Sequence, residues 1–299
     1  MEASATGGGR ARGLCLLAHT VLHLCAIDTE EQRMAAEQHE QPEELDLYQD
    51  PLEPFTPLET ALSVLRWGVG LAHLGSWLGL FVVLDRTVIS GRRFDQLGKF
   101  VCRRVTGLAG IRVRQHGLEH LQPGAAYVFC INHVSLMDLF VVFQSIPYFH
   151  RSFQDARHFK IPVYGGCIRV FGQIPVDRKD KALNRAAYAR AAQMLRAGDS
   201  FVVFPEGHRT RDGRLGPFHL GAFRLAIDAG VPVVPMVLRG LRNICPAEDW
   251  RLRGGDVDVI FGEPLPGAGL TEADAPGLRD RTRAAMNELM REGARPGRR

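Results

Sequence analysis

The stretch "AYVFCINHVSLMDLFVVFQSI", Ala126 to Ile146, joins two patterns of different period. "AYVFCI" is a short apolar run, the signature of a strand buried on both faces. "SLMDLFVVFQSI" has helical length. Between the two patterns stand Asn132, His133, Ser135 and Asp138, polar groups at the place where a strand hands over to a helix. A buried strand feeding a helix is the building unit of an α/β sheet.

Working outward, the same alternation recurs. "IRVRQHG" alternates and reads as a strand. Downstream, "GGCIRVFG" predicts a helix closing at Gly172, "QIPV" a short strand, and "KALNRAAYARAAQMLRAG" an Ala-rich helix stopped by Gly198. "SFVVFPEG" is strand then turn, and "GAFRLAIDAG" a helix ending at Gly230. "VPVVPMVL" and "VDVIFGEPL" read as strands, and "EADAPGLRDRTRAAMNELMREG" as a mostly helical C-terminus. The two prolines of "VPVVP" suggest an edge strand or a bulge. Strands alternating with helices predict an α/β domain over 93–299, with a mainly parallel sheet flanked by helices.

The N-terminal part differs. Residues 1–57 read as disordered chain or acidic linker, with eight acidic residues from Glu30 to Asp50 and four prolines from Pro42 to Pro57. The apolar run "LCLLAHTVLHLCA" resembles a signal peptide only loosely, so secretion is not expected, and Met34 could begin a shorter chain. Residues 58–92 are expected to form a membrane-associated helix. "WGVGLAHLGSWLGLFVVL", Trp67 to Leu84, holds no residue charged at neutral pH apart from His73 when protonated. It approaches the length at which spanning becomes a candidate, and spanning versus lying on the bilayer stays open. Acidic residues before the run and arginines after it predict that the C-terminal part faces the cytoplasm.

The 299 residues are 45% hydrophobic and 23% charged, which describes an ordinary globular chain. A net charge of +4 permits anionic partners without demanding them. No basic stripe with interleaved aromatics is present, so a nucleic-acid partner is not expected. Six scattered cysteines without a CxxC pair argue against a zinc site or a disulfide framework, and no metal is expected.

Three stretches carry candidate chemistry. In the first, His133 can take a proton from a hydroxyl, and a carboxylate beside it would fix its tautomer. Five residues along one helix turn through about 140°, so His133 and Asp138 cannot share a helical face. The spacing works if His133 lies in the loop, Ser135 is the N-cap and Asp138 the N3 residue. Helix capping alone explains the same residues, and this stretch by itself supports both readings equally. In the second stretch, "FGQIPVDRKD", Arg178 follows a short strand and could meet a phosphate or simply pair with Asp177 or Asp180. In the third, "FVVFPEGHRTRDG", Glu206, Gly207 and Arg209 project from a strand end, where open α/β sheets bind ligands. A polar surface turn with a Glu–Arg pair is the plain alternative.

Taken in order, "NHVSLMD", "GQIPVDR", "FPEGHRT" and "VPVVP" resemble the glycerolipid acyltransferase family of the 1-acylglycerol-3-phosphate acyltransferase type. The resemblance covers roughly residues 95–265, with "RHFKIPVYGG" also similar. One departure is Arg157-His158, where relatives often show a Lys-Glu pair. The resemblance implies transfer of a fatty acyl group from a thioester, acyl-CoA or acyl-carrier protein, to the hydroxyl of a lysophospholipid at a bilayer. No cofactor is implied beyond the thioester co-substrate. His133 would be the general base, Asp138 its partner, and Arg178, Glu206, Gly207 and Arg209 the acceptor site. Phosphatidic acid formation is the first expectation. Another lysophospholipid or a lyso-aminolipid is the alternative acceptor. An ester hydrolase is disfavoured by the lack of a G-x-S-x-G elbow, and a silent lipid-binding protein by the intact motifs.

Overall fold

The computed structural model describes residues 52–85, 91–161, 164–177 and 179–292. The expected linker therefore lies almost wholly outside the described residues. Helix α1 is Pro57–Asp85 and α2 Gly91–Leu108. Strands β1 (Ile111–His116) and β2 (Val128–Ile131) follow, then α3 (Asp138–Ser145), β3 (His150–Asp155), α4 (Tyr164–Val170) and β4 (Ile174–Val176). The chain continues through α5 (Lys181–Arg196), β5 (Ser200–Val203), α6 (Gly221–Ala229) and β6 (Val233–Arg239). It closes with α7 (Leu241–Ile244), β7 (Gly255–Phe261) and α8 (Ala275–Glu292).

The described strands form one seven-stranded sheet in the order β1-β7-β6-β2-β5-β3-β4. From β6 to β4 all neighbours run parallel, while β7 is antiparallel to β6 and β1 parallel to β7. The fold is thus the expected mainly parallel α/β sheet flanked by helices. β2 is buried throughout, and its side chains divide by parity. Tyr127, Phe129 and Ile131 pack with Val141 and Val142 of α3 on one face. Val128 and Cys130 pack with Ala187 and Ala191 of α5 and Phe223 and Ala226 of α6 on the other. Burying a side chain of that size is worth about 1.5–3 kcal/mol, which favours the centre of the sheet for this sequence.

Two expectations need correction. β6 is not an edge strand, because it lies between β2 and β7. The bulge reading is the correct one. Val233 bridges Leu265 and Met236 pairs with Phe261, so three positions on β6 span four on its partner. Pro235, which lacks an N–H, sits inside that slip, and its carbonyl accepts from Gly262 N–H at 2.8 Å. The second correction concerns the helix after β2, which begins at Asp138 rather than just after Ser135. A turn at Leu136–Met137 precedes it. Ser135 still accepts through Oγ, but from Met137 N–H at 3.0 Å, and the Asp138 side chain reaches back to Ser135 N–H at 3.1 Å.

α1 begins at Pro57 and docks its N-terminal half on the loop before β7. Ser63 Oγ lies 2.9 Å from Leu252 N and 3.0 Å from Leu252 O, and Trp67 Nε1 donates to Trp250 O at 2.6 Å. Leu58, Leu65 and Val69 remain exposed at helical spacing. No helix among the described residues is long and apolar enough to cross a membrane. α2 carries the buried Lys99, whose Nζ donates to Asp95 Oδ2 at 2.7 Å and to the carbonyls of Pro147 and Tyr148 at 3.1 Å each. That ammonium fastens α2 to the turn between α3 and β3. The expected boundary at 92/93 falls just inside α2.

Candidate active site

Because β2, β5 and β6 are parallel neighbours, their carboxyl ends deliver residues 132–138, 204–210 and 239–240 to one edge of the sheet. Asn132 is the first residue past β2. Its side chain donates to Leu238 O at 3.0 Å and accepts from Leu238 N–H at 2.8 Å. This amide extends the strand pairing by one rung and fixes where the chain leaves the sheet. His133 comes next.

Nδ1 of His133 lies 2.5 Å from Asp138 Oδ2. A carboxylate can only accept, so Nδ1 carries the proton and Nε2 of the neutral ring keeps its lone pair. The same Oδ2 accepts from Val134 N–H at 2.9 Å and Ser135 N–H at 3.1 Å. Asp138 is held at the first residue of α3 with a side chain only 1% exposed, and Oδ1 is buried with no hydrogen-bond partner among the described residues. The His133 side chain is 24% exposed. Its ring stacks on Phe204, the residue after β5, with centroids 4.1 Å apart and planes 22° from parallel.

After Phe204 the chain turns sharply. Gly207 N–H donates to Phe204 O at 3.0 Å, and Gly207 has φ 72°, a conformation open to glycine and strained for other residues. Glu206 points inward and is 2% exposed. Its Oε1 accepts from His133 N–H at 3.1 Å and its Oε2 from Gly216 N–H at 2.9 Å. Thr210 N–H donates to His133 O at 2.7 Å. Burial pushes the Glu206 carboxyl up to about 7; the Gly216 and His133 N–H groups oppose the rise, and Asp138 and Asp212 add to it. Arg209 is also 2% exposed.

The structure therefore brings His133, Asp138, Glu206, Gly207 and Arg209 together at one sheet edge. Arg178 lies outside the described residues; β4, which ends at Val176, is the last strand of the sheet and is parallel to β3, which separates it from β5. Asn132 and Phe204 belong to the same constellation. Both stood in the quoted motifs without an assigned task. Asn132 immediately after an apolar strand was the available signal, whereas nothing in the sequence tells a stacking Phe204 from a core one.

Comparisons with known proteins bear on this geometry. The Acyltransferase family model matches residues 112–239. The 1-acyl-sn-glycerol-3-phosphate acyltransferase alpha of Homo sapiens is 31% identical over 233 residues, spanning 76% of this chain and 82% of that relative. The chloroplastic 1-acyl-sn-glycerol-3-phosphate acyltransferase BAT2 of Brassica napus is 36% identical over 154 residues, spanning 51% of this chain and 44% of that relative. The crystal structure of the 1-acyl-sn-glycerophosphate acyltransferase PlsC from Thermotoga maritima matches with a TM-score of 0.69 at 21% identity. It covers 80% of this chain and 100% of its own, a likeness of fold.

Proposed function

Since the chain belongs to the 1-acyl-sn-glycerol-3-phosphate acyltransferase family and is an O-acyltransferase, we propose that it acylates 1-acylglycerol-3-phosphate to phosphatidic acid with His133 as general base. The observation that carries this reading is the His133–Asp138 pair. Nδ1 is committed to a buried carboxylate, and Nε2 is the nitrogen left to exchange a proton.

In the reaction, Nε2 takes the proton of the acceptor hydroxyl as its oxygen attacks the thioester carbonyl. Asp138 stabilises the resulting imidazolium. The tetrahedral adduct collapses by breaking the C–S bond, and the leaving thiolate takes the proton back from Nε2. The products are an ester and a free thiol, and His133 is restored. The substrate hydroxyl thus occupies the place that serine holds in a hydrolase triad. No metal or covalent enzyme intermediate is needed, because the thioester is already activated. General-base action of this kind is typically worth about 10²–10⁴-fold.

The acceptor phosphate is assigned to Arg209, a role that requires the 205–214 segment to open around its buried guanidinium. Desolvated guanidinium–phosphate pairs are strong, which favours this residue. Gly207 lets the backbone approach the ligand, and Arg178 is assigned to the same acceptor. The donor is acyl-CoA or acyl-carrier protein. Helix α1 lies in the bilayer surface with Leu58, Leu65 and Val69 toward lipid, and the site faces the cytoplasm.

The test is thiol release from a long-chain acyl-CoA by the purified full chain in vesicles carrying 1-acylglycerol-3-phosphate, other lysophospholipids or a lyso-aminolipid. Stoichiometric thiol and phosphatidic acid with the first acceptor support the reading. Free fatty acid without acceptor, or a preference for a phosphate-free acceptor, would overturn it.

A further inference from the structure

We propose that Glu206 is a positioning residue that seats His133, so that the turn after β5 acts on the base as well as on the acceptor. The inference rests on His133 being the base. Glu206 is inward-facing, and its two oxygens are taken by two main-chain donors, His133 N–H at 3.1 Å and Gly216 N–H at 2.9 Å. On the other side of the same residue, His133 O accepts from Thr210 N–H at 2.7 Å. The turn therefore grips both the N–H and the carbonyl of His133. Asp138 holds its ring by Nδ1 and Phe204 holds it by one face. Among the described residues none bonds the Nε2 edge.

A packing role alone does not account for a carboxylate here. The position is buried, and Asp138 and Asp212 both disfavour a further negative charge. What a carboxylate supplies, and a neutral amide of the same shape does not, is two acceptor atoms facing two N–H donors. The approach on the far side is close as well. A Cβ added at Gly216 would lie 3.2 Å from Glu206 Oε2. The glutamate thus clamps two loops, one of which carries His133.

Glu206→Gln is the decisive variant. Its amide offers one oxygen, so its NH₂ must oppose either His133 N–H, which pushes His133 from its seat, or Gly216 N–H, which loosens the loop that braces Glu206 against His133. A misplacement near 1 Å costs up to about 10²-fold. We expect kcat to fall by about 10- to 100-fold, with the KM for 1-acylglycerol-3-phosphate within about twofold of wild type. The proton resonance of the His133 Nδ1–H should move from its wild-type position. Glu206→Asp keeps two acceptor oxygens on a shorter arm and should recover part of the lost kcat. It also carries the test if the Gln variant does not fold. A raised acceptor KM with kcat retained would make Glu206 an acceptor contact and overturn the proposal, as would wild-type kcat in both variants. His133→Ala, assayed alongside, separates the two levels of failure. If His133→Ala retains turnover, the base reading fails. If it is inactive while the Glu206 variants match wild type, only the positioning role fails.

Discussion

Asp138→Asn isolates the charge of the carboxylate from its hydrogen bonds. Oδ2 takes three donors, His133 Nδ1–H, Val134 N–H and Ser135 N–H, at 2.5, 2.9 and 3.1 Å. An asparagine must place its oxygen there, because an NH₂ would face all three. The His133 tautomer therefore survives. The NH₂ then falls at the Oδ1 position, which is buried and has no hydrogen-bond partner among the described residues. That orphaned donor should cost about 1–3 kcal/mol of stability. The lost charge acts on the rate, since only the carboxylate stabilises an imidazolium that forms during proton transfer. A charged hydrogen bond exceeds a neutral one by about 1–2 kcal/mol, and loss of the ion-pair attraction roughly doubles that to about 2–4 kcal/mol, giving about 30- to 10³-fold in kcat. The assay is steady-state thiol release with acyl-CoA and 1-acylglycerol-3-phosphate, beside a thermal melt of the same preparation. Asp138→Ala is a different experiment. It strips the acceptor from two buried N–H groups and should cost about 2–6 kcal/mol, a large part of a typical domain stability of about 5–15 kcal/mol. Turnover of Asp138→Asn within about threefold of wild type would refute the reasoning.

Arg209→Ala should raise the acceptor KM by at least about tenfold with kcat less affected, and an unchanged KM in the same assay would remove Arg209 from the phosphate. Lys99→Met leaves Asp95 buried beside two carbonyls that have lost their donor, and should destabilise by about 3–5 kcal/mol in denaturant melts. Converting both members to apolar residues should restore most of that loss; a double variant as weak as the single would contradict the pairing argument. For Glu206, a folded pKa of about 7, above the ordinary 4.5, means the native state takes up a proton before the unfolded chain does. Stability from this group is full below 4.5 and is lost as pH rises through about 7, a difference of about 3 kcal/mol. Between about pH 4.5 and about pH 7 the wild type should therefore lose stability relative to Glu206→Gln, with no further divergence above about pH 7, and parallel curves for the two proteins across that window would contradict the buried-carboxylate account.

The local patterns were readable because they depend on neighbours in sequence. β2 and β5 announce themselves as short apolar runs, and α5 by its alanines and its stop near Gly198. The order of the motifs was also readable, and parallel pairing converts that order into nearness at one edge. Most of what escaped was settled by contacts distant in sequence, and the helix start by a competing local one. Pro235 lowers the intrinsic fitness of β6 for the sheet interior. Burial of Val233, Val234, Met236, Val237 and Leu238 on both faces outweighs it, and the slip opposite Pro235 absorbs the missing donor. Ser135 has the right chemistry for a cap, but its Oγ takes Met137 N–H, so the regular helix starts later. Glu206 reads as an acceptor-site residue or as part of a polar surface turn, because nothing local reveals that His133, 73 positions earlier, supplies one of its donors. The seat of α1 on Leu252, 189 positions from Ser63, is invisible for the same reason.

The central claim is that Nε2 of His133 takes the acceptor proton. Its most direct test is the single-turnover rate of thiol release by purified His133→Ala, with acyl-CoA and 1-acylglycerol-3-phosphate saturating and the melting temperature recorded on the same sample. The account predicts a rate lower by at least about 10²-fold with the wild-type melt retained. A rate within about threefold of wild type would contradict it.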